Sequence, residues 1–101
     1  MKKYTQADFD AFEVIDRIKQ CPSGDYSDIR VFGRGCSFGR GCSFGECCSF
    51  GRGCSFGEEC SFGECCSFGE WCSFGEECSF GEECSFEDKG EYIGDYPFLA
   101  F

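Results

Sequence analysis

The tripeptide Cys-Ser-Phe occurs nine times at intervals of six residues, beginning at Cys36 and ending with the copy that starts at Cys84. Gly and two variable residues separate successive copies, as in Cys54-Ser-Phe-Gly-Glu-Glu-Cys60. Six residues cannot enclose a core by themselves. A fixed period this short, with no helical pattern, predicts a solenoid in which each repeat buries its apolar face by stacking on the next. Phe32 and Gly33 already fall in phase, so ten hexads are expected over residues 30–89. The last is degraded, with Glu87 where Gly is due.

Alternate residues of a strand share a face, so Cys and Phe are expected inward and the intervening Ser outward. The Gly after Phe is expected at the turn, where the absence of a Cβ admits backbone angles closed to other residues. The two variable positions, mostly Glu, Arg or Gly, then fall on an exposed corner.

Read from the aromatic residue, the unit is Phe-Gly-x-x-Cys-Ser, for example Phe62-Gly-Glu-Cys-Cys-Ser67. Over residues 30–89 this resembles the hexapeptide repeat of left-handed parallel β-helix proteins. The resemblance implies an all-β fold: a left-handed parallel β-helix, a triangular solenoid with three hexads per coil and a little over three coils. Phe stands where that family has Leu, Ile or Val, and the small Cys makes room for it near the axis. With three hexads per coil, residues eighteen apart stack. The inward columns are then Phe38/Phe56/Phe74, Phe44/Phe62/Phe80 and Phe32/Phe50/Phe68/Phe86. Rings on adjacent rungs, about 4.8 Å apart, approach offset-stacking distance. A one-residue slip would put Ser inside and Phe in water, so the columns also hold register. Cys columns such as Cys42/Cys60/Cys78 run parallel, which suits packing better than bridging.

Many members of the family are acyltransferases that use a His as general base. This chain contains no His and no long loop interrupting the repeat. Catalytic residues are therefore not expected, and neither is a cofactor.

The flanks read differently. Residues 1–29 are expected to form a helix and turn that cap the solenoid, with the helix over residues 4–20. Thr5 and Asp8 have capping-box spacing, Phe9, Phe12, Ile15 and Ile18 recur at helical intervals, and Lys19 suits a last turn. Cys21-Pro-Ser-Gly-Asp supplies the break. Residues 90–101 hold Tyr92, Ile93, Tyr96, Phe98, Leu99 and Phe101 and are expected to form a C-terminal cap or an oligomer contact.

Twelve cysteines in 101 residues would suggest a disulfide scaffold, but nine share one phase of the repeat and read as small core residues. Cys47 and Cys65 sit in variable positions instead and stack on each other. Two thiols supply half of a tetrahedral metal shell, so no metal is expected there. The Ser columns, such as Ser37/Ser55/Ser73, lack the methyl groups of a threonine array and read as soluble β-faces rather than an ice-binding plane. With no export signal or long apolar run, the chain is expected to be cytoplasmic, in the host cytoplasm if viral.

The formal charge of -10 excludes nucleic acid and anionic membranes as natural partners and favours a basic surface. Arg30, Arg34, Arg40 and Arg52 face only Glu46 in the first repeats, whereas the repeats after Gly53 carry Glu and no cation until the last. Stacked by eighteens, Glu58/Glu76 and Glu59/Glu77 form one acidic strip, and Glu46/Glu64/Glu82 with Glu83 form another. Trp71, in a variable position, is a further contact candidate. The expected function is that of a small acidic, non-enzymatic binding protein. It would inhibit a nucleic-acid-binding protein by polyanion mimicry, as small acidic inhibitors encoded by phages and other mobile elements do. The alternative is a structural, oligomeric assembly module.

Overall fold

The computed structural model describes residues 1–86 and 90–92. Thr5 opens the helix α1 (Gln6–Asp10): its hydroxyl accepts from the Asp8 N–H at 3.2 Å, and the Asp8 carboxylate accepts from the Thr5 N–H at 2.9 Å. The expected capping box is formed, and these bonds hold Asp8 below the ordinary carboxylate range.

The expected helix over residues 4–20 is not. After the cap residue Ala11, the chain forms an antiparallel hairpin of β1 (Val14–Ile15) and β2 (Ile18–Cys21), with Asp16 and Arg17 at φ 52° and 69° in its turn. Val14, Ile15 and Ile18 are β-branched and fit a strand better than a helix. The edge of the solenoid supplies β2 with a ladder partner. Lys19 still serves the helix, but across space: its Nζ donates to the Phe9 carbonyl at 2.7 Å and lies 4.3 Å from the Phe9 ring centroid. The same carbonyl also accepts from the Phe12 N–H at 3.2 Å, so Lys19 adds a second donor at the helix end.

The rest is a parallel β-solenoid of about four turns. Its strands are β3 (Val31–Gly33), β4 (Cys36–Phe38), β5 (Ser49–Phe50), β6 (Ser55–Phe56), β7 (Ser61–Phe62), β8 (Ser67–Phe68), β9 (Cys72–Phe74), β10 (Ser79–Phe80), β11 (Ser85–Phe86) and β12 (Gly90–Tyr92). They form three ladders: β1-β2-β4-β6-β9-β12, β11-β8-β5-β3 and β10-β7. Pairs such as Ser37↔Ser55, Ser55↔Ser73, Ser49↔Ser67 and Ser61↔Ser79 place successive rungs eighteen residues apart, as expected.

The solenoid begins earlier than residue 30. Bridges Lys3↔Asp25, Asp25↔Ser43 and Ser43↔Ser61 extend the third ladder downward, and Tyr26 stacks on Phe44 with ring centroids 5.6 Å apart. Tyr4 stacks on Tyr26 at 5.1 Å, and Phe9 meets Phe32 edge-on at 5.3 Å.

The Phe columns form as expected. Rings eighteen residues apart stack at 4.6–5.2 Å and within 13° of parallel, from Phe32–Phe50 to Phe68–Phe86. Between columns the rings meet edge to face, as in Phe38–Phe44 at 5.0 Å and 90°. Both geometries suit the ring quadrupole, so three Phe per turn fill the axis without face-to-face crowding.

The inward Cys side chains do more than leave room. From Cys54 onward each inward thiol donates to the carbonyl of a glycine on the preceding turn: Cys54 to Gly33, Cys60 to Gly39, Cys66 to Gly45, Cys72 to Gly51, Cys78 to Gly57 and Cys84 to Gly63, at 3.3–3.4 Å. All twelve cysteines are free thiols.

The glycine after Phe does not play the expected part. From Gly39 onward its φ is not positive; its requirement is closeness. An added Cβ at Gly51, Gly57, Gly63, Gly69, Gly75 or Gly81 would lie 2.7–2.8 Å from a backbone nitrogen of the turn below. The left-handed residue is the one before Cys. Gly35, Gly41, Cys47, Gly53, Glu59, Cys65, Trp71, Glu77 and Glu83 all lie at φ between 57° and 73°.

Candidate functional site

This left-handed residue and the one before it make each corner. Their backbones are fixed from turn to turn: the Gly41 N–H donates to the Glu58 carbonyl at 2.8 Å, Glu59 to Glu76 at 2.9 Å, Cys47 to Glu64 at 2.8 Å and Cys65 to Glu82 at 2.9 Å. Side chains at these corners therefore form rows with the solenoid's own pitch. They cannot separate without breaking the ladder.

One corner carries Arg40/Glu58/Glu76 beside Gly41/Glu59/Glu77, and all four carboxylates are exposed. The sequence predicts them as one acidic strip. The structure places Arg40 at its foot, with Nη2 2.9 Å from Glu59 Oε1 and 3.8 Å from Glu58 Oε1. Arg40 stands eighteen residues before Glu58, so the stacking that made the strip legible would also have revealed this pair. Glu76 and Glu77 form no ion pair among the described residues.

A second corner carries Glu46/Glu64/Glu82 beside Cys47/Cys65/Glu83, also exposed. None of its four carboxylates forms an ion pair among the described residues, so it is the more strongly negative row. The Cys65 thiol donates to Glu83 Oε1 at 3.6 Å. Desolvation and that carboxylate push the Cys65 thiol up to about 11, so it stays protonated at neutral pH. Among the described residues no three His, Cys, Asp or Glu side chains come together to hold a metal ion.

The third corner carries Arg34/Arg52/Glu70 beside Gly35/Gly53/Trp71. Trp71 is 57% exposed, at φ 66°. It is remote in phase from both acidic rows. Glu87 and the tail residues Ile93, Tyr96, Phe98, Leu99 and Phe101 lie outside the described residues, as does the Tyr92 side chain. Neighbouring thiols in a column shift one another in both directions: Cys42 is drawn down by Cys60 and Cys48 by Cys66. Cys54 and Cys60 are each pushed up to about 11, first by the thiol one turn below and further by burial.

No protein-family model, curated protein or solved structure matches this chain. No helix among the described residues is long and apolar enough to cross a membrane.

Proposed function

We propose that this chain is a small acidic, non-enzymatic binding protein that occupies the basic, nucleic-acid-binding surface of another protein by mimicking a polyanion. The observation that carries the reading is the second corner, where Glu46, Glu64, Glu82 and Glu83 stand exposed and without an ion pair among the described residues. Carboxylates one rung apart repel each other, so such a row works against folding unless a cationic partner neutralises it. A rigid row of negative charge presents a basic groove with much the same field as a phosphate backbone. Glu58, Glu59, Glu76 and Glu77 add a second row, weakened at its foot by Arg40. Trp71 belongs to neither row and is a secondary contact in this reading.

Three ladders per eighteen-residue turn and the Phe-Gly-x-x-Cys-Ser unit support a left-handed coil of triangular section. The Phe9–Phe32 contact supports an N-terminal cap made by α1 and the hairpin.

The test is displacement of a labelled DNA duplex from a set of basic DNA-binding domains. Displacement should weaken by about tenfold or more between about 50 and 200 mM salt. Replacing Glu46, Glu64, Glu82 and Glu83 by Gln should impair it more than replacing Glu58, Glu59, Glu76 and Glu77, mainly through slower association. If both four-Gln variants fold and displace DNA as well as the parent protein, mimicry by these rows is wrong. Concentration-dependent growth in light scattering with no displacement would instead favour the assembly module.

A further inference from the structure

The third corner is the reverse of the other two. Gly35 and Gly53 stand bare where equivalent positions carry Glu, Cys or Trp, and the hairpin β1–β2 rises beside them. The result is a cleft of about 510 Å³. Arg17, Arg34 and Arg52 line it, all exposed, and none forms an ion pair among the described residues. Arg34 and Arg52 are one rung apart. Lys19 adds charge, although its ammonium is already engaged by the Phe9 carbonyl. Val14, 55% exposed, and the half-buried Ile18 supply an apolar wall. The nearest acidic neighbours in sequence and stacking, Asp16 and Glu70, are not within ion-pair distance of these arginines.

We infer that this cleft binds a small organic phosphate, with the phosphate on Arg17, Arg34 and Arg52 and an apolar body against Val14 and Ile18. Three guanidiniums that line one cleft with no ion pair among the described residues repel one another, and a phosphate accepts from several of their N–H groups at once. The protein as a whole carries -10, so a long polyanion extending beyond this corner would meet net repulsion from the rest of the surface. A ligand contained within the cleft avoids it. The volume lies in the range of small-molecule sites, roughly 300–1,000 Å³, and leaves room beyond the phosphate for an organic group. The inference does not depend on polyanion mimicry, which uses the other corners.

The test uses the full chain and phenyl phosphate as the probe, with inorganic phosphate and sodium chloride as controls at matched ionic strength. Amide NMR should show saturable shifts at Val14, Gly35 and Gly53. Phenyl phosphate should bind about tenfold more tightly than inorganic phosphate, the difference coming from the apolar wall. The Arg34→Gln/Arg52→Gln variant should bind at least tenfold more weakly, since it loses charge-assisted hydrogen bonds. A second variant, Gly53→Glu, places a carboxylate where a Cβ meets nothing within 4 Å. Glu59, Glu77 and Glu83 already occupy that backbone geometry, so the fold should accept it. Its carboxylate should occupy the cleft and abolish binding. Shifts that sodium chloride reproduces, or binding unchanged in both folded variants, would overturn the site. Equal affinity for inorganic and phenyl phosphate would overturn the organic ligand.

Discussion

Gly57→Ala and Gly53→Ala differ by a single methyl group each but should have unequal costs. At Gly57 the new Cβ would lie 2.7 Å from the Arg40 nitrogen, 2.8 Å from the Gly39 carbonyl carbon and 2.9 Å from the Arg40 Cα. Ordinary contact begins near 3.4 Å, so the two turns must part by about 0.7 Å. All three atoms are backbone, and none can swing aside. The Gly57 N–H donates to the Phe38 carbonyl at 3.1 Å, and a shift of that size would take it beyond hydrogen-bond range. Phe38 and Phe56, stacked at 5.2 Å, would be pulled apart as well. Overpacking against an immobile wall together with a broken ladder bond should cost about 3 kcal/mol or more. At Gly53 the Cβ meets nothing within 4 Å, and the penalty is only the left-handed backbone at φ 73°, about 1 kcal/mol. Urea unfolding followed by circular dichroism measures both. With a slope of about 1 kcal/mol/M, the midpoint should fall by about 3 M for Gly57→Ala and about 1 M for Gly53→Ala. If Gly53→Ala is the more damaging, the glycine after Phe is not there for close approach, and the reasoning fails.

Two further outcomes follow from the thiols. Cys72→Ala removes a buried sulfur and a donor to the Gly51 carbonyl, and should cost about 2 kcal/mol in the same assay. The exposed Cys47→Ala should stay within about 0.5 kcal/mol of the parent. Stability should also fall at alkaline pH under reducing conditions. Cys54 and Cys60 hold their protons more tightly folded, at about 11, than their ordinary value of 9.0. Their contribution is whole below about pH 9 and is lost as pH rises towards about 11, because the unfolded chain ionises first. Cys42, drawn down by the Cys60 thiol, offsets part of this. A melting temperature that stays flat from pH 8 to about 10.5 would contradict the thiol assignment.

The inward Phe and Cys columns were legible in the sequence because strand alternation and an eighteen-residue turn leave no other inward set. What escaped has physical causes. Phe9, Phe12, Ile15 and Ile18 have helical spacing, yet the residues after Ala11 form a hairpin. The open edge of β4 offered β2 a ladder, and tertiary pairing overrode local pattern. Tyr26 holds the phase of Phe44, but Pro22, Ser23 and Gly24 read as a plain turn and concealed the extra rung. The glycine after Phe reads as the turn residue because conformational freedom is the usual reason for a glycine. The sequence held the correcting signal: the position before Cys accepts Cys, Glu and Trp, whereas the one after Phe keeps Gly from Gly33 to Gly81. A left-handed backbone is costly but tolerable for a side chain, while contact with a backbone at 2.7 Å is not.

That difference in tolerance also separates what folds this protein from what it binds. Cys, Ser, Phe and the following Gly meet the ladder, the ring columns and the turn below, so these four positions are constrained. The two corner positions meet solvent, and their backbone bonds form whichever side chain is present. Gly41, Cys47, Glu59 and Cys65 all donate to the next turn in the same way. Charge can therefore be exchanged at the corners with little effect on the coil, and the three corners have come to differ: one uniformly acidic, one acidic above Arg40, and one cationic around bare glycines. Identical repeats would have given three identical corners. The departures from repetition are thus where binding specificity is to be sought, and the two proposed sites can be abolished separately by substitutions on different corners of the same solenoid.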